Sequence, residues 1–526
     1  MSPMRGHEGR RPEARPRFAV RVVLAMALCG IAALIGITAA GASQSESTKP
    51  TLTIGLTYAP PSLDPSKTGN GLSELILFPL INAPLIHQRA DGSYAPGLAK
   101  SWRYLGKGNK DFELTLRSGA RFSDGEPVTA AAVKRWFEYY PKGGGPYAGS
   151  LKPLRSIQTV GTSKVVVHLK NPNPILQAVF SETFLWGFVQ SPKAVADPKA
   201  LARKPAGAGP YVLVPSETIA GNRYTLVPNQ YFYDQKQIRY GKIIVKVINS
   251  ASTMLQAIKT GGVDVAVGSP STVSAAEKVA SVVHEPLFTG TIVFLDLSGK
   301  LLKPLADVRV RQALNYAIDR KTITQAVLGK YGSPSSEFWT ADGFDPKYQN
   351  YYPYNPEKAK SLLAAAGYAD GFTMKVVVEG SSNEQGQMAA AAAKNLAAIG
   401  VNLDIDTVPT AEYLSKIFSG KLPAYFMHWG GIPMWIYHTL FLAPKAGANQ
   451  HGWSDPALNK LWAQGQGASP AAAKRYWRQM SRRVVTQAEM VPVFLSHNLF
   501  YVSKDVGGVS FPGRLAPLAT EWFPKK

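Results

Sequence analysis

The sequence contains one cysteine, Cys29, and this residue lies inside an apolar run over residues 22–40. Six arginines precede the run, and small residues close it at Ala42. A basic start, an apolar segment and a small-residue exit predict a secretion signal over residues 1–42 that is cleaved after Ala42. The mature chain then has no thiol. Disulfides, thiolate metal sites and cysteine nucleophiles are therefore excluded together, and the fold must be held by packing.

Other interpretations of this leader remain open. The apolar run is long enough to be borderline for a retained membrane anchor. Arg10 and Arg11 suggest twin-arginine export, although Pro12 and Glu13 follow where that signal usually continues differently. A lipid anchor on the cysteine needs a small preceding residue, and Leu28 is large. We expect export to an extracytoplasmic location without lipidation, with a polar tether over residues 43–50.

The length and the charge of the chain limit the classes of protein to which it can belong. A chain of 526 residues is expected to form roughly two to four domains. Loss of the leader removes six arginines and two glutamates, so the formal net charge falls from +23 to +19. The lysines and arginines are scattered along the chain, which does not favour a nucleic-acid partner. The charge fits either a solvated basic surface or proximity to anionic lipid or wall polymer.

Strand and helix patterns alternate in two separate parts of the chain. TLTIGLTY, residues 51–58, alternates as a strand does, and a proline-rich segment ends it. The run 242–268 predicts strand, helix and strand, and so does the run 375–408. Between them, Thr129 caps a predicted helix among short strands from residue 111 to 170. Two separate α/β units of this kind imply two lobes.

Five segments then resemble, in order, the signature segments of one protein family. They are TIGLTYAPPSLDP, LAKSWRYLGKGNKDFELTLRSGARFSDGEPVTAAAVKRWFEY, GAGPYVL, LADVRVRQALNYAIDRKTI and YNPEKAKSLLAAAGY. Together they are similar to the extracytoplasmic solute-binding proteins of the peptide/nickel family, which are the binding components of bacterial ABC importers. The resemblance covers about residues 50–510.

This resemblance implies an α/β, two-lobed periplasmic-binding-protein fold of type II, with an extra subdomain in lobe I and a ligand enclosed between the lobes. Two crossover segments, predicted at 290–298 and 490–498, join the lobes. The protein is expected to act as a monomer that binds a small molecule or peptide and delivers it to membrane permease subunits. The predicted boundaries are lobe I at 51–290 and 492–526, its subdomain at about 84–205, and lobe II at 291–491.

Catalytic motifs were sought as an alternative function. The sequence has no Gly-x-Ser-x-Gly elbow, His-Glu-x-x-His motif, phosphate loop or Cys-x-x-Cys pair. His428, His438 and His451 are close in sequence, but no carboxylate lies between the first two to complete a metal site. We therefore expect a binding protein without catalysis, cofactor or protein-bound metal. A secreted hydrolase or a cell-envelope chaperone on the same scaffold is the alternative.

The segment HWGGIPMWIYHT, residues 428–439, is the strongest candidate for ligand contact. Peptide-binding relatives usually carry here a segment resembling Gly-Trp-x-x-Asp-Tyr-x-Asp-Pro, whose first aspartate pairs with a peptide's amino terminus. This chain has apolar residues in place of those acids. We expect Trp429 to contact ligand, followed by Trp435, Tyr437 and His428, with core packing as the alternative for Trp435 and Tyr437.

Further candidates follow the ends of predicted strands, where open α/β folds bind ligands. Tyr58, Ser269 and Glu379 each follow such a strand. Ser382, with Gln385 three residues later, predicts a capping box, whose helix N-terminus favours an anionic ligand group. Glu379 could supply the missing amine partner. A plain loop or cap role is the alternative for each. The expected ligand is a modified peptide, an aromatic or apolar metabolite, or a metal chelate, rather than a plain dipeptide.

Overall fold

The computed structural model describes residues 49–525, except residues 152–153, 381 and 445. The predicted signal peptide and residues 43–48 of the predicted tether lie outside the described residues. Within the described residues, no helix combines the length and the apolar character needed to cross a membrane.

The strands are short except for two. In chain order they are β1 (Thr51–Leu56), β2 (Ile86–Gln88), β3 (Tyr94–Pro96), β4 (Ala99–Leu105), β5 (Asp111–Leu116), β6 (Leu154–Val160), β7 (Lys164–Leu169), β8 (Tyr211–Leu213), β9 (Arg223–Pro228), β10 (Lys242–Val247), β11 (Val265–Val267), β12 (Ser281–Phe294), β13 (Gly332–Pro334), β14 (Phe372–Glu379), β15 (Val401–Val408), β16 (Ala424–Trp429), β17 (Met490–Val502), β18 (Val506–Gly507) and β19 (Phe523–Pro524).

The helices flank these strands. In chain order they are α1 (Leu72–Ile81), α2 (Ala130–Tyr139), α3 (Leu176–Val179), α4 (Pro192–Ala196), α5 (Pro198–Leu201), α6 (Ala251–Lys259), α7 (Val273–Ala276), α8 (Val308–Ala317), α9 (Arg320–Leu328), α10 (Pro356–Ala365), α11 (Asn383–Ala397), α12 (Thr410–Ile417), α13 (Met434–Tyr437), α14 (Pro456–Gly467) and α15 (Pro470–Thr486).

One mixed sheet organises both lobes. Its strand order is β15-β14-β16-β12-β17-β11-β1-β10-β9-β8, with β13 also paired to β17. On one side β1 runs parallel to β10 and β11. On the other side β14 runs parallel to β15 and β16. We call the β11-to-β8 side the first lobe and the β15-to-β16 side the second lobe. The two α/β units predicted from the sequence thus lie on opposite sides of β12 and β17.

A separate sheet forms a small unit on the first lobe. Its strand order is β4-β5-β7-β6, and α2 packs against it. Thr129 caps α2 by accepting a hydrogen bond from the backbone N–H of Ala132, as the sequence predicts. Trp136 and Phe137 of α2 are fully buried, and the Phe137 ring stacks on Phe180 with centroids 4.9 Å apart. Between β5 and α2 the chain forms one isolated bridge, between Arg121 and Pro127.

The lobes are joined by a ribbon of β12 and β17, which pair from Ser281 with Val502 to Val293 with Met490. The sequence placed the first crossover at 290–298. In the structure, residues 289–294 instead lie between β16 and β17, and this explains their apolar character. Among the described residues, no further strand pairs with the ribbon at His284–Pro286, and the register of the ribbon shifts directly after that stretch. The two lobes are therefore connected by the fewest paired strands at residues 284–286, before the crossover predicted at 290–298.

A buried arginine fastens β17 to the helices of the second lobe. Arg320 opens α9 and is 4% exposed. Its guanidinium donates hydrogen bonds to backbone carbonyls and one side-chain amide, namely Ser335 O, Pro492 O, Asn315 O, Tyr352 O and Asn315 Oδ1. Burial without a carboxylate partner lowers the pKa of Arg320 to about 9. One side chain thus satisfies carbonyls from four separate segments.

Candidate ligand site between the lobes

The carboxyl ends of the parallel strands in the two lobes face each other. In the first lobe, Val267 at the end of β11 pairs with Phe500, on the side of β17 that leads toward the second lobe. In the second lobe, Trp429 at the end of β16 pairs with Thr289, on the side of β12 that comes from the first lobe. Because ligands of open α/β sheets bind beyond the carboxyl ends of strands, the space between these edges is the candidate site.

A cleft of about 520 Å³ opens between the lobes beside the end of β11, and neither Trp429 nor Tyr58 is among the residues that line it. The first lobe contributes the segment after β11, including Ser271 and Ser274. The second lobe contributes residues 325–331 and the first turns of α11, including Glu384 and Gln387. The two sides of the cleft meet where Lys330 Nζ lies 2.6 Å from Glu277 Oε1 and the Tyr331 hydroxyl also bonds Glu277.

Tyr58 stands beyond the end of β1, as predicted, and 40% of the residue is exposed. Its hydroxyl donates to Glu74 Oε2 at 3.0 Å, and its carbonyl accepts from Ser73 Oγ at 2.6 Å. Burial and the Glu74 charge raise the pKa of Tyr58, and burial raises the pKa of Glu74. The ring is therefore held in place as a neutral phenol that a ligand can reach.

Ser269 follows β11, as predicted, and a tyrosine of the connecting ribbon fixes its backbone. The Tyr501 hydroxyl donates to Ser269 O at 2.8 Å and accepts from Ser269 N–H at 3.0 Å. The Ser269 and Ser271 hydroxyls lie 2.9 Å apart at the surface. Of these two serines, Ser271 lines the cleft, and Tyr501 holds the shape of the loop.

His428 and Trp429 are adjacent, so β16 directs them to opposite faces of the sheet. His428 Nε2 lies 2.5 Å from Ser496 Oγ, and its ring contacts Phe288 and Phe494 with centroids 5.7 and 6.1 Å away. Burial lowers the pKa of His428, against the opposing charges of Glu384 and Glu379. The neutral imidazole therefore belongs to the face covered by α11.

The start of α11 lies on that same side of the sheet. Ser382 caps the helix by accepting from Gln385 N–H at 3.3 Å. The predicted capping box would return the Gln385 side chain to Ser382. In the structure, Gln385 Oε1 instead accepts from the backbone N–H of Glu379 at 2.8 Å. Gln385 therefore joins the end of β14 to the helix, and the Ser382 N–H donates to the Glu379 carbonyl at 3.2 Å.

Trp429 lies on the opposite face, together with the side chain of Thr289. Thr289 Oγ1 accepts from the backbone N–H of Trp339 at 2.9 Å, which places the loop after β13 beside β16. The Trp429 ring is partly buried and meets Phe441 edge-on at 5.9 Å. The following Gly431 has a φ of 70°, and a Cβ there would lie 2.0 Å from Leu515 Cδ2. Glycine at this position therefore allows the second lobe to approach the C-terminal segment.

Trp435 and Tyr437 do not lie with Trp429. They belong to α13 and are 9% and 1% exposed. The Trp435 ring stacks on Trp462 at 6.3 Å, and the Tyr437 ring stacks on Phe338 at 5.2 Å. The strand ends at Trp429 and the chain re-enters the core as a helix. These positions favour the packing alternative for both side chains.

The loop after β13 brings two further residues, Trp339 and Asp342, beside the end of β16. Trp339 is partly buried beside β16, and Asp342 Oδ1 accepts from the backbone N–H of Met434 at 2.8 Å. Burial raises the pKa of Asp342 to about 6. A sequence signal for a ligand-contacting loop was present in the segment EFWTADGFD, residues 337–345, which mixes aromatic, acidic and glycine residues. The pairing of Thr340 with Ile432, together with the Asp342 bond to Met434, shows that this loop adjoins the aromatic patch.

The three histidines considered for metal binding take different positions. His428 contacts Ser496, whereas His438 Nε2 lies 3.0 Å from Asn459 Oδ1 and its ring stacks on Trp462. Across residues 49–525, leaving aside the undescribed positions, no three His, Cys, Asp or Glu side chains are grouped so that they could hold a metal ion.

Comparison with known proteins identifies the family to which this chain belongs. The model of the family described as bacterial extracellular solute-binding proteins, family 5 Middle, matches residues 93–448, which is more than half of the chain. The chain belongs to this family. Its members are binding proteins, and this chain is accordingly the substrate-binding component of an ABC-type importer.

Similar proteins have diverse names. The periplasmic murein peptide-binding protein MppA of Escherichia coli is 26% identical over 472 residues, covering 83% of this chain and 86% of the relative. Heme-binding protein A of Haemophilus influenzae is 26% identical over 372 residues, covering 64% of this chain and 66% of the relative. The structure of AgaA of A. tumefaciens with agropinic acid has a TM-score of 0.76 at 23% identity, covering 90% of this chain and 99% of that one. These neighbours confirm the predicted two-lobed fold.

Proposed function

We propose that this solute-binding protein captures a small organic solute whose recognised end is aromatic or apolar rather than a free ammonium group. A modified peptide, an aromatic metabolite or a metal chelate fits this description. The aromatic contact from the second lobe is Trp429, and Tyr58 supplies an aromatic contact from the first lobe. Polar contacts to the ligand at the edges of the cleft come from Ser269, Ser382 and Glu379. His428 contacts the ligand from the opposite face of β16.

The observation that carries this proposal is the end of β16. The four residues after Trp429 are two glycines, Ile432 and Pro433, and the chain then enters buried α13. Asp342 lies beside this segment, accepts a hydrogen bond from the backbone N–H of Met434, and has a pKa that burial raises to about 6. A buried ammonium without a charged partner forgoes a hydrogen bond worth about 1.5–3 kcal/mol. Apolar and aromatic ligands do not incur this loss.

The range of neighbours supports a ligand other than a plain dipeptide. A murein peptide, heme and agropinic acid are named for three proteins of similar sequence or fold. The scaffold therefore accommodates chemically unrelated solutes, and the residues at the strand ends select among them.

The remaining features of the proposal follow from the sequence. We propose lobe boundaries at 51–290 with 492–526 and at 291–491, with a subdomain at about 84–205. The protein acts as a monomer without catalysis, cofactor or nucleic acid, and hands its solute to permease subunits. It is exported by a signal peptide cleaved after Ala42 and carries no lipid.

Mass spectrometry of the protein purified from the producing cell without denaturation tests export and capture together. We expect an intact mass that begins at residue 43, and one small molecule that accompanies the native protein and leaves it on unfolding. The released molecule should lack a free amino terminus. A mass that retains the leader or a lipid would contradict the export proposal. Turnover of the released molecule on return to the protein would instead indicate an enzyme.

A further inference from the structure

Helix α15 carries a row of cations on its outer surface. Lys474, Arg475, Arg478 and Arg482 are all exposed, whereas Trp477 and other apolar residues face the core. At about 100° per residue the four cations fall within a sector of about 100°, and they span about 12 Å along the axis. They therefore form one continuous stripe, which we call the α15 basic face.

The acids near this helix do not neutralise the stripe. From residue 446 to 488 the only acid is Asp455, which is 7% exposed and bonds Arg483 on the inner side of α15. Glu337 and Glu489 lie beneath the helix and are 0% and 1% exposed. None of the four cations forms an ion pair with any residue that the structure describes. Lys474 attracts the Asp342 carboxylate from a distance, and the other three residues are exposed.

Tyrosines border the α15 basic face. The Arg482 guanidinium lies 6.0 Å from the centre of the Tyr348 ring, and Tyr351, 39% exposed, packs against Tyr348 at 5.9 Å. Arg475 Nη2 donates to the hydroxyl of Tyr476 at 2.7 Å. Tyrosine has an apolar body and a polar tip, and it is enriched together with cations where proteins meet the lipid–water boundary.

We propose that the α15 basic face docks on an anionic lipid bilayer, so that the solute-binding protein is held beside the membrane that contains its permease. Each lysine or arginine near such a surface contributes about 1 kcal/mol of attraction. A bilayer suits the face better than a nucleic acid does, because the stripe lies on a convex helix, whereas single strands are bound in grooves. The proposal rests on the export of the protein.

Co-sedimentation with vesicles tests this surface. The purified protein is mixed with phosphatidylcholine vesicles that contain or lack phosphatidylglycerol, at low and at high salt. We expect binding only to the anionic vesicles, and loss of binding at high salt because exposed charges are screened. The test variant neutralises the stripe and consists of Lys474→Gln, Arg475→Gln, Arg478→Gln and Arg482→Gln. It should bind about a hundred-fold more weakly or worse.

A matched control removes the same charge from exposed lysines on separate elements, namely Lys193→Gln, Lys236→Gln, Lys259→Gln and Lys394→Gln. The control should keep most of the vesicle binding, and both variants should keep the wild-type melting temperature and the affinity for the native solute. Equal losses in both variants would show that net charge acts without a specific face. Absence of vesicle binding alongside tight binding to polyglutamate would assign the face to an acidic polymer. Either result overturns the membrane proposal and leaves solute capture unaffected.

Discussion

Replacing Arg320 with methionine is expected to lower the free energy of unfolding by about 3–5 kcal/mol. Methionine fills much of the same volume but cannot donate a hydrogen bond. The carbonyls of Asn315, Ser335, Tyr352 and Pro492 would then lose a buried donor together. Pro492 belongs to β17, so the loss should also loosen the ribbon that joins the lobes. Chemical denaturation followed by circular dichroism measures the change.

A second arginine provides the control for this result. Arg309 lies on the neighbouring α8, is exposed, and pairs with Asp307. Exposed ion pairs contribute little to stability, so Arg309→Met should leave the denaturation midpoint almost unchanged. Equal effects of the two substitutions would mean that the Arg320 hydrogen bonds do not hold the second lobe together.

Replacing Trp429 with alanine is expected to weaken solute binding by about ten- to a hundred-fold. Burial of an aromatic contact contributes on the order of 1.5–3 kcal/mol, which corresponds to that change in the dissociation constant. Folding should change little, because the indole is only partly buried at the end of β16. Calorimetric titration with the native solute gives the affinity, and thermal melting of the same sample gives the stability.

Trp102 is a suitable control because it is also partly buried but lies on β4 in the small sheet of the first lobe. Trp102→Ala should leave affinity unchanged. If Trp429→Ala keeps full affinity but melts at a much lower temperature, Trp429 is a core residue, since loss of a core tryptophan typically costs about 3–5 kcal/mol. Tight binding of unmodified dipeptides that disappears in Asp342→Asn would instead place an amine partner in the loop after β13.

The sequence predicted the parts of the fold that depend on local patterns. The helix capped by Thr129 and the parallel strands around 51–56 and 372–379 follow from period and capping alone, because those signals act within a few residues. The paired ribbon was only partly predictable. Residues 290–294 are apolar because β16 covers them, and the bare stretch at His284–Pro286 has no distinctive composition.

The candidate site was harder to predict than the fold. The candidate segment 428–439 begins at the end of β16, but the positions of Trp435 and Tyr437 depended on whether the chain continued as a loop or turned into a helix. Once the register of β16 was known, the alternation of side chains along a strand placed His428 and Trp429 on opposite faces of the sheet. Asp342 and Trp339 approach the patch through a long-range pairing between Thr340 and Ile432 that no local pattern encodes.

Closure of the lobes around a solute is tested most directly by small-angle X-ray scattering. Protein freed of its solute by unfolding, washing and refolding is measured before and after the released small-molecule fraction is returned to saturation. Rotation about the bare stretch of the β12 and β17 ribbon should bring the lobes together, so we expect the radius of gyration to fall when the solute binds. An unchanged radius of gyration with the solute demonstrably bound would contradict a receptor that closes on its ligand.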